Sequence, residues 1–163
     1  MNHAIDLADL AFRLPAKARL IGLDLGTKTI GLAISDIERR LASPLRTLPR
    51  GAFQKDADAL SSIFAEFEIA GVILGLPLDL EGREGPRAQS TRAFARNLSM
   101  RTDLPIAYWD ERFSTAAVTR SLIANDVSRA RRAAVVDKMA AAYILQGALD
   151  RLGRLARNRG DVS

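Results

Sequence analysis

The sequence predicts an α/β domain in which a mixed five-stranded sheet is flanked by helices. Three observations carry this. Two apolar runs at residues 19–26 and 30–36 are joined by Gly-Thr-Lys-Thr, the pattern of a tight antiparallel hairpin. "AGVILGLP" at 70–77 is a continuous apolar run closed by proline, as in a strand buried on both faces. From residue 53 onward, strand-like runs alternate with stretches of helical period, which implies a parallel portion of sheet covered on both sides.

Taken in order, residues 1–18 read as an N-terminal extension. Leu7, Leu10, Ala11 and Leu14 repeat at helical spacing until Pro15 ends the pattern, and no role is assigned to the segment. The hairpin strands follow, and a third strand is expected over 44–48. Phe53, Ala57, Leu60, Phe64 and Phe67 mark one face of a helix over 53–67. After the buried strand comes a polar loop, "LDLEGREGPR". A helix over 87–100 should then turn Ala88, Thr91, Phe94, Ala95 and Leu98 inward. "LPIAYWDER" is a fifth strand that ends on charge, with Tyr108 and Trp109 read as core. Ser114 or Thr115 can cap a helix running to about residue 124. A last helix is expected over 133–152, followed by a basic polar tail at 153–163. One domain thus spans 19–152, with no internal repeat or linker. A mixed sheet of this order is what a ribonuclease H-like fold gives.

With 163 residues, 48% of them hydrophobic and 26% charged, the chain has the balance of a single globular domain. No apolar run approaches the roughly 20 residues that span a bilayer, and no secretory leader is evident, so a cytoplasmic protein without a membrane partner is expected. The lack of cysteine excludes thiolate metal sites, and the single histidine, His3, lies in the extension. A net charge of +5 favours polyanionic partners, nucleic acid above all.

Three acids stand in unusual places. Asp24 interrupts an interior strand, and on its own face it is flanked by Gly22 and Gly26, which leave room for a ligand or a close backbone approach. A lone acid there is costly unless it is paired, hydrogen-bonded or metal-bound. Asp110 and Glu111 end the fifth strand, where ligands collect in parallel sheets, although Glu111 could equally pair with Arg112 in solvent. Asp137 shares a helix meridian with Ala141, Ile144 and Ala148, on the side meant for the core, where it either caps locally or reaches toward something positive. Clustered carboxylates repel unless cations lie between them, and oxygen ligands without His or Cys select Mg²⁺ or Mn²⁺. A pair of such ions is the expected cofactor, able to clamp both the attacking water and the leaving oxygen of a phosphodiester. The Asp-x-Gly-Thr turn also resembles the first phosphate motif of actin-like and sugar-kinase ATPases. Those proteins hold nucleotide between two such domains, and this chain has length for one.

Four blocks in order resemble the YqgF/RuvX family of Holliday-junction resolvases and pre-16S ribosomal RNA nucleases: "GLDLGTKTIGLAISD" at 22–36, "GLPLDLEGREGPRAQSTRAFARNL" at 75–98, "WDERFST" at 109–115 and "VDKMAAAYILQGAL" at 136–149. Phe113 replaces the leucine usual in the third block. The resemblance implies a ribonuclease H-like, divalent-metal nuclease whose catalytic and metal-binding acids are Asp24, Glu111 and Asp137. It implies maturation of the 5′ end of 16S ribosomal RNA, with resolution of branched DNA as the alternative and a non-catalytic ribosome-assembly module as a third reading. Structured RNA or branched DNA would be the partner, together with pre-ribosomal particles, for a monomer or homodimer. Lys28, Arg83, Arg87 and Arg112 are read either as phosphate contacts or as solvated surface charges. Arg129, Arg131 and Arg132 head an arginine-rich C-terminal region, continued by Arg151, Arg154, Arg157 and Arg159, that is a candidate electrostatic footprint.

Overall fold

The computed structural model of the chain describes residues 4–113 and 129–158, with side chains described for all of these except 129–136. The helix expected from Ser114 or Thr115 to about residue 124 lies outside the described residues. The elements are α1 (Leu7–Arg13), β1 (Arg19–Leu25), β2 (Thr29–Ser35), β3 (Ala42–Pro49), α2 (Phe53–Glu66), β4 (Ile69–Leu76), α3 (Pro86–Ser99), β5 (Ile106–Asp110), a 3₁₀ turn (Glu111–Phe113) and α4 (Arg129–Asn158). The strands line up as β3-β2-β1-β4-β5. β2 runs antiparallel to β1 and β3, while β1, β4 and β5 are parallel. This is the ribonuclease H-like arrangement.

Both faces of the sheet are covered, which is why β1 and β4 are apolar almost without interruption. On one face, Ile21, Leu23, Leu32 and Leu74 pack against Leu60 and Phe64 of α2 and Phe94 and Leu98 of α3. All five α3 residues expected to face inward are buried. On the other face, Leu20, Ala33, Ile73 and Trp109 meet Ala141, Ile144, Leu145 and Ala148 of α4. The helical meridian drawn through Asp137 is therefore the one that enters the core.

Two segments are more ordered than the sequence suggests. The N-terminal extension is built into the fold: Ile5 bridges in parallel to Ala107 and its N–H donates to the Ile106 carbonyl at 2.8 Å. Asp6 caps α1 by accepting the Asp9 N–H at 2.8 Å, and Leu10 is fully buried on the α4 face. At the other end, α4 continues past residue 152 to Asn158. Leu152 is buried and Leu155 half-buried, so the apolar stripe goes on, and the interspersed arginines are good helix formers that suit a helix C-terminus.

Candidate active site

Asp24 sits near the end of β1, only 1% exposed. In register it lies opposite Gly31 of β2. On its other side, Leu23 stands beside Leu74 of β4, so the next step places Gly75 beside Asp24. Neighbours in register point to the same face, and that face is the one covered by α4. Two glycines thus flank the acid across strands, in addition to Gly22 on its own strand.

What occupies the space left by these glycines defines the site. A Cβ on Gly31 would fall 2.1 Å from the backbone oxygen of Asp137. One on Gly75 would fall 2.8 Å from Oε1 of Glu111, and one on Gly26 would fall 3.2 Å from Oδ2 of Asp137. At Gly22 the room is taken by helix α4 itself, with Leu145 Cβ 2.8 Å from the position a Cβ would take. Of the two uses the sequence offered for that glycine, close backbone approach is the one realised. Asp137 thus rests against Asp24's neighbour on one side, and the Glu111 carboxylate against its neighbour on the other. The structure brings all three acids to one face at the C-terminal end of β1.

Their surroundings differ. Asp24 Oδ2 and Glu111 Oε1 are shut off from solvent. Asp137 is half-buried in the opening turns of α4 and accepts a short hydrogen bond from the Thr29 hydroxyl at the start of β2. Among the described residues no group of three His, Cys, Asp or Glu side chains is disposed to hold a metal ion. The donor set nevertheless fits Mg²⁺ or Mn²⁺ in kind. It consists of hard carboxylate oxygens, two of them withdrawn from water, where an unbalanced negative charge is costly.

Basic residues surround this end of the sheet in unequal states. Lys28 is exposed on the hairpin turn. Arg87 reaches from the first turn of α3 to the Leu25 carbonyl at 3.3 Å, beside the acids. Arg83 is occupied within its own loop, pairing with Asp79 at 2.8 Å and Glu81 at 3.1 Å. Arg112 clasps Asp110 through both Nε and Nη2, the latter at 2.6 Å, and donates to the Leu80 carbonyl at 3.4 Å. It ties the 77–85 loop to the end of β5, next to Glu111. Burial alone would raise the Asp110 carboxyl, but the Arg112 side chain and N–H outweigh it and hold it below the ordinary value. Arg129, Arg131 and Arg132 lie in the first turn of α4, and their side chains are outside the described residues.

Sequence reasoning missed two contributors. Arg50 donates to the Gly26 carbonyl at 2.7 Å and its N–H to the Lys28 carbonyl at 2.8 Å, so it fastens the turn that follows Asp24. Thr29 holds Asp137. Neither belongs to a periodic pattern. The only signal for Thr29 was its place in the quoted Gly-Thr-Lys-Thr turn.

Comparison with known proteins agrees with this architecture. Proteins from Methylocella silvestris and from a Bradyrhizobium species (strain BTAi1), each named "Putative pre-16S rRNA nuclease", are both 60% identical to the chain. The first matches over 93% of this chain and 94% of its own length, the second over 94% and 96%. Among solved structures, Thermus thermophilus RuvC in complex with a Holliday junction substrate aligns over 83% of this chain and 96% of that one, with a TM-score of 0.52 at 13% identity. The yeast mitochondrial Holliday junction resolvase Ydc2 aligns over 95% and 88%, with a TM-score of 0.50, also at 13% identity. At such low identity these two speak for the fold, which is the one the sheet order gives. The family model described as "RuvX: Holliday junction resolvase" matches residues 18–151, and the chain belongs to that family.

Proposed function

We propose that this protein is a divalent-metal-dependent nuclease that hydrolyses phosphodiester bonds in structured RNA, with the 5′ end of pre-16S ribosomal RNA as its substrate in the cytoplasm. The observation that carries the reading is the convergence of Asp24, Glu111 and Asp137, from three distant chain segments, on one face at the end of β1. A pure binding module would gain by removing negative charge from beside the phosphates. The names carried by the 60% identical relatives point to ribosomal RNA. A second reading, cleavage of branched DNA, is favoured by the family description.

In this reading Asp24, Glu111 and Asp137 hold one or two Mg²⁺ or Mn²⁺ ions. When bound, such ions activate water and neutralise charge developing on a phosphodiester. The protein's own contribution is positional. The β1 backbone fixes Asp24, the clasp of Arg112 on Asp110 fixes the strand end that carries Glu111, and Thr29 orients Asp137. Burial of the carboxylates lowers the local dielectric, so each charge acts more strongly than it would in water. Lys28, exposed on the hairpin turn, and Arg87, which reaches the Leu25 carbonyl, are the cations that would meet phosphate in this reading.

The test is a cleavage assay on precursor 16S RNA and on four-way junction DNA, with Mg²⁺, with Mn²⁺ and with chelator. Metal-dependent shortening of the RNA 5′ end supports the reading. Cleavage of the junction alone would transfer the activity to DNA, and no cleavage of either would sink the nuclease assignment.

A further inference from the structure

Along the outer edge of β5 lies a cleft of about 1160 Å³, between α3 on one face of the sheet and α4 on the other. Trp109 lies in its wall, packed so closely on α4 that a Cβ on Gly147 would fall 2.7 Å from the indole. The N-terminal arm lines the cleft from Ala4 to Ala8. Arg92 and Arg96 contribute from α3, Arg151 and Arg154 from α4. Spacings of four and three residues put the members of each pair on one helix surface, so two arginine pairs meet across the strand edge.

The charge in this cleft is not balanced from within. Asp6, Asp110 and Asp150 also line it: Asp110 is paired with Arg112, whereas Asp6 and Asp150 accept only from neutral donors, the Asp9 N–H and the Gln146 amide at 3.0 Å, and keep their charges. Arg92 is held by Glu84 and lies 4.9 Å over the Tyr108 ring. Among the described residues Arg96, Arg151 and Arg154 form no ion pair. Burial pushes the Tyr108 hydroxyl up, against the opposing pull of Arg92 and, more weakly, Arg96. Arg96, Arg151 and Arg154 against Asp6 and Asp150 leave the concavity positive, with guanidinium groups spaced along it, which favours a chain of phosphates. The cleft also adjoins the acids, since Asp110 and Phe113, which line it, flank Glu111 in sequence.

We propose that this cleft is a second nucleic-acid contact, in which Arg96, Arg151 and Arg154 seat the phosphates of the strand that runs on from the acidic site. The inference rests on the nuclease reading for the direction of that strand, but its test does not need cleavage.

The experiment measures binding of a fluorescein-labelled RNA hairpin with a single-stranded tail, in chelator, over a series of salt concentrations. Each phosphate contact contributes roughly 0.7 to 0.9 to the slope of log K against log salt. The triple variant Arg96→Ala, Arg151→Ala, Arg154→Ala should therefore lose about two to three units of slope. A control triple, Arg40→Ala, Arg46→Ala, Lys55→Ala, removes the same charge from β3, its turn and α2, and should lose less than one unit. Glutamine at the three cleft positions keeps the side-chain stems and serves if the alanine protein melts early. An unchanged slope overturns the proposal, and so does an equal loss in the control. Lost binding of poly-glutamate with an unchanged RNA slope would give the cleft to an acidic protein surface instead. If the wild type binds with the expected slopes yet cleaves nothing, the cleft stands and the nuclease reading falls.

Discussion

Replacing Gly31 with alanine tests whether contact between β2 and α4 sets the position of Asp137. The added Cβ would lie 2.1 Å from the Asp137 carbonyl oxygen, 2.2 Å from its carbon and 2.8 Å from the Lys138 nitrogen. All three are backbone atoms in a helix, so no side chain can swing aside. Restoring even a 3.0 Å contact requires α4 and β2 to separate by about 0.9 Å. Overpacking of this kind costs about 1–3 kcal/mol, against about 0.4–1 kcal/mol gained by stiffening the unfolded chain, so destabilisation wins. For a chain of this size the melting temperature should fall by about 2–8 °C. The same shift carries Asp137 away from Asp24, and a misplacement of about 1 Å at a reacting centre can cost on the order of a hundredfold in rate. Thermal melting and cleavage of precursor RNA, run on the same preparation, read both effects. A Gly31→Ala protein with wild-type melting and wild-type turnover would refute the close approach and, with it, the idea that the glycines set the acid geometry.

Other consequences are simpler to read. Asp24→Asn keeps the shape and removes the charge, so a folded protein is expected with cleavage reduced about a hundredfold or more; full turnover would remove Asp24 from the site. Arg112→Ala should release the 77–85 loop from the end of β5, so limited proteolysis within 79–84 should speed up several-fold while the melting temperature changes little; unchanged proteolysis would mean the clasp is incidental. The pH dependence has a definite sign. Asp36, held by the Leu41 and Arg40 N–H groups, and Asp79, held by the Arg83 N–H, both lie below the ordinary value of 3.8. Their stabilising contribution is complete above that value and is lost as the pH falls below it through their folded-state values. Asp36→Asn should flatten the loss of stability below about pH 4, measured by denaturant melts, and an unaltered acid limb would show that its turn contributes nothing.

Much of the fold was legible because apolar period is a strong signal. The buried run before Pro77 and the inward face of α3 could be read residue by residue. Asp137 stood out because it fell on the meridian of Ala141, Ile144 and Ala148, and Asp24 because it broke a strand. The roles of the arginines were not legible. Arg83, Arg87 and Arg112 look alike in sequence, yet one is spent within its loop, one reaches the end of β1 and one clasps the end of β5. Such differences depend on long-range partners. Gln146 shows the same limit: nothing local in the sequence marks it, yet it accepts the Ala42 N–H at 2.8 Å and donates to the Arg40 carbonyl, stitching α4 to β3 and the turn before it. The extension was legible as a helix but not as part of the core, because Leu10 meets residues far along the chain.

The N-terminal arm has a consequence for how copies of this protein meet one another. β5 is a border strand, and a border strand offers unpaired N–H and C=O groups to any passing chain. By donating from Ile5 to Ile106 and bridging to Ala107, the arm occupies the middle of that border with a segment too short to propagate a ladder. The arm thereby hinders edge-to-edge pairing at β5, and Leu7 and Leu10, laid over the α4 face, deny an intruder part of the apolar footing it would need. At the opposite border the defence is compositional: β3 carries Pro44, Arg46 and Pro49, two residues without a donor and one with a charge.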